Sequence, residues 1–350
     1  MINILAVTDL FVTSEVWSEA LKTSIKQEID INDVTSNWPI DPLTHNQEIS
    51  EFYPNVTDKI LMNIKDADVL VTQAGPVSEE IINSGENLKV IGCARGGAVN
   101  VNLDAATRQE IPVVNAPGRN KEGVAEFTLG LIFSEIRDIS RAHSDLAKEK
   151  IWRGDFYSFS KSGFELKDKS ALIVGYGNIG ARVAELLYML SMEVYVYDPF
   201  LDEEKVKNND IKVLGNLDKG ISQADIITLH ARHSDDTHHM FGKQEFSKMS
   251  RNTYFINTAR GGLVDQKALV EALEEEKIAG AALDVYETEP VEHEDKLFEL
   301  NNVTLTPHIA GATKETARRS ALYVSREIEN YFKGQPVENC LNPETLEGIS

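Results

Sequence analysis

The stretch Ala171-Leu-Ile-Val-Gly-Tyr-Gly-Asn-Ile-Gly180, followed by Ala181-Arg-Val-Ala-Glu-Leu-Leu-Tyr-Met-Leu190, decides the fold. Ala171–Val174 is a continuous apolar run, as expected for a strand covered on both faces. The helix it leads into is predicted over Ile179–Leu190. Between them the glycines have separate tasks. Gly175 makes the tight turn, Gly177 lets backbone approach a pyrophosphate, and Gly180 permits close helix–strand packing. The helix start at Asn178 and Ile179 presents unpaired N–H groups and a positive dipole end to phosphate. A second strand, Val194–Tyr197, ends in Asp198, 18 residues beyond Gly180. A carboxylate at that place bonds both ribose hydroxyls and repels a 2′-phosphate. Asp198-Pro-Phe-Leu201 holds no Arg that would neutralise one. The expected cofactor is NAD, not NADP.

Outward from this unit the chain alternates strand and helix. On the carboxyl side, strands are predicted at Glu193–Tyr197, Asp225–Leu229, Thr253–Asn257, Ala279–Val285 and Val303–Thr306. On the amino side they are predicted at Asn3–Val7, Asp68–Thr72, Lys89–Ala94 and Val113–Ala116. Amphipathic stretches such as Asn55–Lys65 and Val77–Asn83 lie between. Such alternation gives parallel sheets with helices on both faces. After the turn at Pro117-Gly118, a helix is predicted from Glu122 to about Lys150, joining two domains. The last helix, Lys314–Phe332, has no partner in the second series and is expected to return to the first. The predicted fold is α/β, with two doubly wound parallel-sheet domains. Residues 1–119 form a flavodoxin-like substrate domain, 120–309 an inserted Rossmann NAD-binding domain, and 310–350 the returning helix and tail.

Composition narrows the partners. The chain has 350 residues, 42% hydrophobic and 26% charged, enough for two packed cores. Acidic residues outnumber basic ones 56 to 35, a formal net charge of -21. Such a surface disfavours nucleic-acid backbones and anionic membranes, which both require Lys and Arg. Val124–Ile136, the most apolar long segment, is too short and too charged to span a bilayer. The N-terminus lacks secretory-signal character. Two distant cysteines, Cys93 and Cys340, make no disulfide framework, and the expected compartment is the cytoplasm.

Three polar residues follow successive late strands: Arg260 after Tyr254–Ala259, Glu289 after Ala281–Asp284, and His308 after Val303–Pro307. Ligands of open parallel sheets bind outside the carboxyl ends of the strands. The trio suits hydride transfer at a hydroxyl carbon beside a carboxylate. His308 takes the hydroxyl proton, Glu289 supports the imidazolium, and Arg260 binds the carboxylate with its two-point fork. His230 ends a strand and is expected near the cofactor.

These segments, with Ile256-Asn-Thr-Ala-Arg-Gly-Gly-Leu-Val-Asp265, Ala281-Ala-Leu-Asp-Val-Tyr-Glu-Thr-Glu-Pro290 and Thr306-Pro-His-Ile-Ala-Gly311, resemble the D-specific 2-hydroxyacid dehydrogenases over nearly the whole chain. That family includes phosphoglycerate, D-lactate, glyoxylate/hydroxypyruvate and formate dehydrogenases. The resemblance implies the roles of Arg260, Glu289 and His308 given above. It implies that Asp284 meets the nicotinamide carboxamide and that Thr258 and Ala259 line the cofactor. It implies a substrate loop at Cys93-Ala-Arg-Gly-Gly-Ala98, with Arg95, Gly96 and Gly97 binding a small anionic 2-hydroxy or 2-oxo acid. It also implies a homodimer, expected through the Glu122–Lys150 helix and Trp152. Two departures matter. Phosphoglycerate enzymes often carry Arg where Cys93 stands, and formate enzymes carry Gln where Glu289 stands. No regulatory module is expected after Gly334.

The other readings are a phosphoglycerate dehydrogenase, differing in substrate only, and an NAD(H)-sensing corepressor-like binding protein, which would keep the same motifs. Arg95 either binds substrate or pairs with a local acid. Arg119 and Asn120 read more readily as turn and cap residues than as cleft residues. His230, His233, His238 and His239 cluster in sequence but show no open-site ligand pattern, and no metal is expected. Glu274-Glu-Glu276 reads as a solvated helix end.

Overall fold

The computed structural model describes residues 1–202, 204, 206 and 210–347. The chain divides into two compact units. Unit 1 comprises Met1–Asn120 and Ala312–Ser350, and unit 2 comprises Lys121–Gly311.

Unit 1 alternates β1 (Ile2–Thr8), α1 (Ser14–Ser24), β2 (Ile29–Thr35), α2 (Thr57–Asn63), β3 (Val69–Thr72), α3 (Glu79–Ser84), β4 (Val90–Cys93), α4 (Leu103–Arg108) and β5 (Val113–Asn115). The sheet is parallel, in the order β2-β1-β3-β4-β5. Side-chain alternation builds its two cores. Leu5, Val7 and Leu70 pack on one face, and Ile4, Ala6, Val69 and Val71 on the other. Helices α1, α3 and α4 each begin on a side chain that accepts a first-turn N–H: Thr13, Ser78 and Asn102.

Unit 2 begins with α5 (Lys121–Ile136) and α6 (Ile139–Ser144). It continues with β6 (Ser170–Val174), α7 (Asn178–Met189), β7 (Glu193–Tyr197), β8 (Lys212–Val213), α8 (Leu217–Gln223), β9 (Ile226–Leu229), α9 (Lys243–Lys248), β10 (Tyr254–Asn257), α10 (Gln266–Glu274), β11 (Gly280–Leu283) and β12 (Val303–Leu305). All pairs are parallel, in the order β12-β11-β10-β9-β6-β7-β8. The reversal beside β6 marks a doubly wound sheet. The final helix, α11 (Lys314–Phe332), belongs to unit 1. Its Ala317, Ala321, Val324 and Ile328 join the core under β1, β3 and β4.

Two local expectations need correction. The helix predicted from Glu122 to Lys150 is broken: α5 ends at Ile136, and Asp138 turns left-handed at φ +53°. Arg141 causes the break to hold. Its guanidinium donates to the Glu135 carbonyl (3.1 Å) and to the Asp138 carboxylate (2.6 Å), satisfying the helix end from the side. Edge strand β2 was not expected, because Ile29-Asp-Ile-Asn-Asp-Val-Thr35 is too polar to read as a covered strand; only Val34 in it is buried. Among the described residues no helix is long and apolar enough to cross a membrane.

Candidate active site

At the end of β6 the chain turns through Gly175 (φ +92°), where an L side chain is strained and a Cβ would lie 2.5 Å from the Ala231 nitrogen. A Cβ at Gly180 would lie 2.0 Å from the Gly175 carbonyl oxygen, so α7 sits directly against the turn. At Gly177 a Cβ meets nothing within 4 Å, leaving the backbone at the start of α7 open to an incoming group. Asp198 follows β7. Its Oδ2 accepts the Tyr176 N–H (2.8 Å) and its Oδ1 the Phe200 N–H (2.9 Å), which fixes the acid beside the glycine turn. His230 follows β9, with its N–H on the Val174 carbonyl (2.7 Å) and Nε2 3.0 Å from Thr228 Oγ1. Burial pushes its pKa down to about 3, so the ring is neutral, and the buried Nδ1 has no partner among the described residues. An open turn at a helix start, a fixed acid and an orphaned buried nitrogen together fit a dinucleotide.

Arg260, Glu289 and His308, the candidate catalytic residues, follow the carboxyl ends of β10, β11 and β12. His308 Nδ1 is 2.7 Å from Glu289 Oε2, and Glu289 Oε1 accepts the Tyr286 N–H at 2.9 Å. Burial opposes ionisation of Glu289. The hydrogen bond and charge of His308, the Tyr286 N–H and the charge of Arg260 outweigh it and hold the carboxyl below its ordinary range. Arg260 is exposed, and its Nη1 donates to the Ala259 carbonyl (2.7 Å) while its own carbonyl accepts Asn257 Nδ2 (2.9 Å). Only glycine fits next to it, because a Cβ at Gly261 would lie 1.8 Å from the Tyr286 carbonyl oxygen. That close approach brings the Arg260 segment to the loop carrying Glu289.

The sequence did not reveal what holds His308. Its backbone is left-handed at φ +53°. Asp284, fully buried after β11, accepts Thr306 Oγ1 (2.7 Å) and the Ile309 N–H (2.9 Å) on Oδ1, and the Ala310 N–H (2.8 Å) on Oδ2. Asp284 therefore clamps the His308 loop on both sides, over-determining a strained residue. Thr258 Oγ1 faces α5, 2.9 Å from Thr128 Oγ1, and the Ala259 N–H is bonded to Asn257 Oδ1 (3.0 Å). His233, His238 and His239 contact one another and Glu287; among the described residues no three His, Cys, Asp or Glu side chains are grouped to hold a metal.

In unit 1, Arg95 Nη2 donates to Glu51 at 2.5 Å. The Gly96 carbonyl accepts Asn115 Nδ2 (2.7 Å), and a Cβ at Gly97 would meet nothing within 4 Å. Arg119 lies in the turn that the sequence predicts, yet it is half-buried, with Nη1 donating to Gln73 Oε1 (3.2 Å) and Ser320 Oγ (2.9 Å). Proximity to Gln73 and Ser320, both distant in sequence, gives it this setting.

The sequence model described as "D-isomer specific 2-hydroxyacid dehydrogenase, NAD binding domain" matches residues 129–310. D-3-phosphoglycerate dehydrogenase of Archaeoglobus fulgidus is 37% identical over 279 residues, 80% of this chain and 52% of the relative. Glyoxylate reductase of Thermofilum pendens is 35% identical over 300 residues, 85% of this chain and 88% of the relative. The chain thus spans about half the length of the first curated relatives it matches. NAD-dependent formate dehydrogenase of Staphylococcus aureus, solved in complex with NAD, superposes with a TM-score of 0.76 at 25% identity, covering 100% of both chains. Motif, fold and relatives agree: the chain belongs to the D-isomer specific 2-hydroxyacid dehydrogenase family.

Proposed function

We propose that the protein is an NAD-dependent dehydrogenase of small D-2-hydroxy acids, with unit 2 as the cofactor domain and unit 1 as the substrate domain. The observation that carries this is the His308–Glu289 pair at 2.7 Å, in a loop clamped by Asp284 and with the Arg260 charge acting on it. Oxidation of a C2 hydroxyl removes one hydride and one proton. NAD, when bound at Gly175–Gly180, supplies the hydride acceptor. With Nδ1–H donated to Glu289, Nε2 of His308 is the free base and takes the hydroxyl proton. Glu289, ionised throughout, stabilises the imidazolium that results. Arg260 holds the substrate carboxylate through its two-point fork. In reduction, protonated His308 returns the proton to the 2-oxo oxygen.

The working protein is a cytoplasmic homodimer in this reading. Ile139, Leu146, Ile151, Trp152, Tyr157 and Phe159 are large exposed apolar side chains in one stretch of unit 2, and Trp152 is 82% exposed. The test is NADH oxidation with a panel of glyoxylate, hydroxypyruvate, pyruvate and phosphohydroxypyruvate. His308→Ala lowers turnover by about 10²–10⁴ with NADH binding intact. Turnover near that of the unaltered enzyme in this variant, or no oxidation with any 2-oxo acid, refutes the reading.

A further inference from the structure

The loop after β9 carries His233, His238 and His239, and none of them has a task in the mechanism above. In the fold they form a row. His239 Nε2 lies 2.7 Å from Glu287 Oε1. A carboxylate only accepts, so Nε2 carries the hydrogen and donates it. The His238 ring stacks on that of His239, with centroids 3.8 Å apart, and His238 Nδ1 is 3.2 Å from His233 Nε2. His233 in turn lies over Gly262, where a Cβ would come within 2.6 Å of its Nε2.

His239 also bonds through its backbone. Its N–H donates to the Gly262 carbonyl (2.8 Å), the Phe241 N–H to the Leu263 carbonyl (3.0 Å) and the Asp265 N–H to the Phe241 carbonyl (2.9 Å). The loop after β9 is thereby laced to the segment that follows Arg260. Glu287 belongs to the loop after β11, two residues before Glu289, and its own N–H donates to Gln266 Oε1 (3.2 Å). One residue therefore bonds both loops that carry proposed catalytic groups, the Arg260 segment through its backbone and the Glu289 loop through its ring. Its backbone is left-handed at φ +51°, a strained state that persists where the surroundings over-determine it. The close approach of Gly261 to the Tyr286 carbonyl joins the same two loops at one point. The His239–Glu287 bond adds a second, and two points fix an orientation where one leaves a pivot.

We propose that His239 and Glu287 are positioning residues, a strut within unit 2 that fixes the orientation of the Arg260 segment relative to the Glu289 loop. What the two loops do rests on the dehydrogenase reading; the strut itself does not. The His239 and Glu287 side chains are 33% and 38% exposed, and an ion pair so placed adds little to stability. Its effect falls on placement. The Arg260 charge acts on Glu289, so their separation matters, and a shift of about 1 Å at a reacting site costs up to about 10²-fold in rate.

The test compares the unaltered enzyme with Glu287→Ala, Glu287→Gln, His239→Ala and the double alanine variant, using NADH and the best 2-oxo acid of the panel. Glu287→Ala lowers kcat/KM by about 10-fold, with NADH affinity unchanged and Tm within about 4 °C. Glu287→Gln can still accept from Nε2 and recovers most of the loss. The double variant loses no more than the worse single one, because both remove the same bond. Hydrogen-exchange mass spectrometry gives a readout free of activity: in Glu287→Ala, exchange rises about 2- to 5-fold in both 259–265 and 284–290. If His239→Ala fails to fold, the two Glu287 variants carry the test. Unchanged kcat/KM in Glu287→Ala, additive losses in the double variant, no recovery in Glu287→Gln, or faster exchange confined to one of the two loops overturns the strut. If no 2-oxo acid oxidises NADH, the dehydrogenase reading fails by itself and exchange alone decides the strut.

Discussion

Gly177→Ala and Gly180→Ala place the same methyl group three residues apart in one turn, with opposite expected consequences. Gly177 has φ -79° and ψ -163°, which alanine adopts without strain, and its Cβ meets no atom within 4 Å. Replacing glycine at a compatible backbone stabilises by about 0.4–1 kcal/mol through the unfolded chain. Alanine is a poorer residue than glycine at a helix start, so part of that gain is offset. At about 2–4 °C per kcal/mol for a unit of this size, Tm stays within about 3 °C. The methyl instead occupies the approach to the α7 N-terminus. Losing one charge-assisted hydrogen bond there costs about 1.5–3 kcal/mol, or about 10- to 100-fold in NADH affinity. At Gly180 the methyl lies 2.0 Å from a backbone oxygen, so the helix must retreat from the turn. Overpacking of this sort costs about 1–3 kcal/mol, a Tm fall of about 2–12 °C. Calorimetry reads stability and NADH fluorescence reads affinity. If Gly177→Ala binds NADH within twofold of the unaltered protein, or Gly180→Ala melts unchanged, the placement of the pyrophosphate at this turn is wrong.

Glu289→Gln keeps an acceptor for the Tyr286 N–H but removes the charge beside His308; turnover should fall by about 10²-fold or more with NADH affinity unchanged, as stopped-flow and fluorescence titration would show. Asp198→Ser removes the carboxylate that repels a 2′-phosphate; the NADH-to-NADPH ratio of kcat/KM should fall by about 10- to 100-fold, and an unchanged ratio would remove Asp198 from cofactor choice. For Asp9 the folded-state pKa is raised above 3.8, chiefly by burial. A raised acid costs nothing below the unfolded value and costs stability increasingly as pH climbs through the folded value. Asp9→Asn, which can still accept the Phe11 and Val12 N–H groups, should therefore gain in Tm relative to the unaltered protein between about pH 4 and pH 7; a constant difference across that range counts against it.

Much of the cofactor site was legible because its causes are local. A strand, a tight turn, a helix start and an acid at the next strand end are set within one continuous stretch, Ala171 to Asp198. The trio Arg260, Glu289 and His308 was legible for a related reason: each follows a covered strand, and parallel strands deliver their carboxyl ends to the same edge. The failures came where sequence and space part company. The helix read through to Lys150 breaks because a side chain, Arg141, satisfies the end of α5. Edge strand β2 escaped because pairing with β1 on one side lets its exposed face stay polar.

The sequence by itself determined the α/β class and the dinucleotide turn with its preference for NAD, and it singled out His308, Glu289 and Arg260 as the residues proposed for base, acid partner and carboxylate binding. Periodicity, turn chemistry and residue type are local properties, so the chain states them directly. Tertiary structure decided what those residues are made to do. It showed Asp284 holding both sides of the left-handed His308, an assignment that needs β11 beside β12. It half-buried the turn residue Arg119 by bringing β3, β5 and α11 together across 46 and 201 positions of chain. Burial and charge pairing depend on distant neighbours, and only the folded chain supplies them.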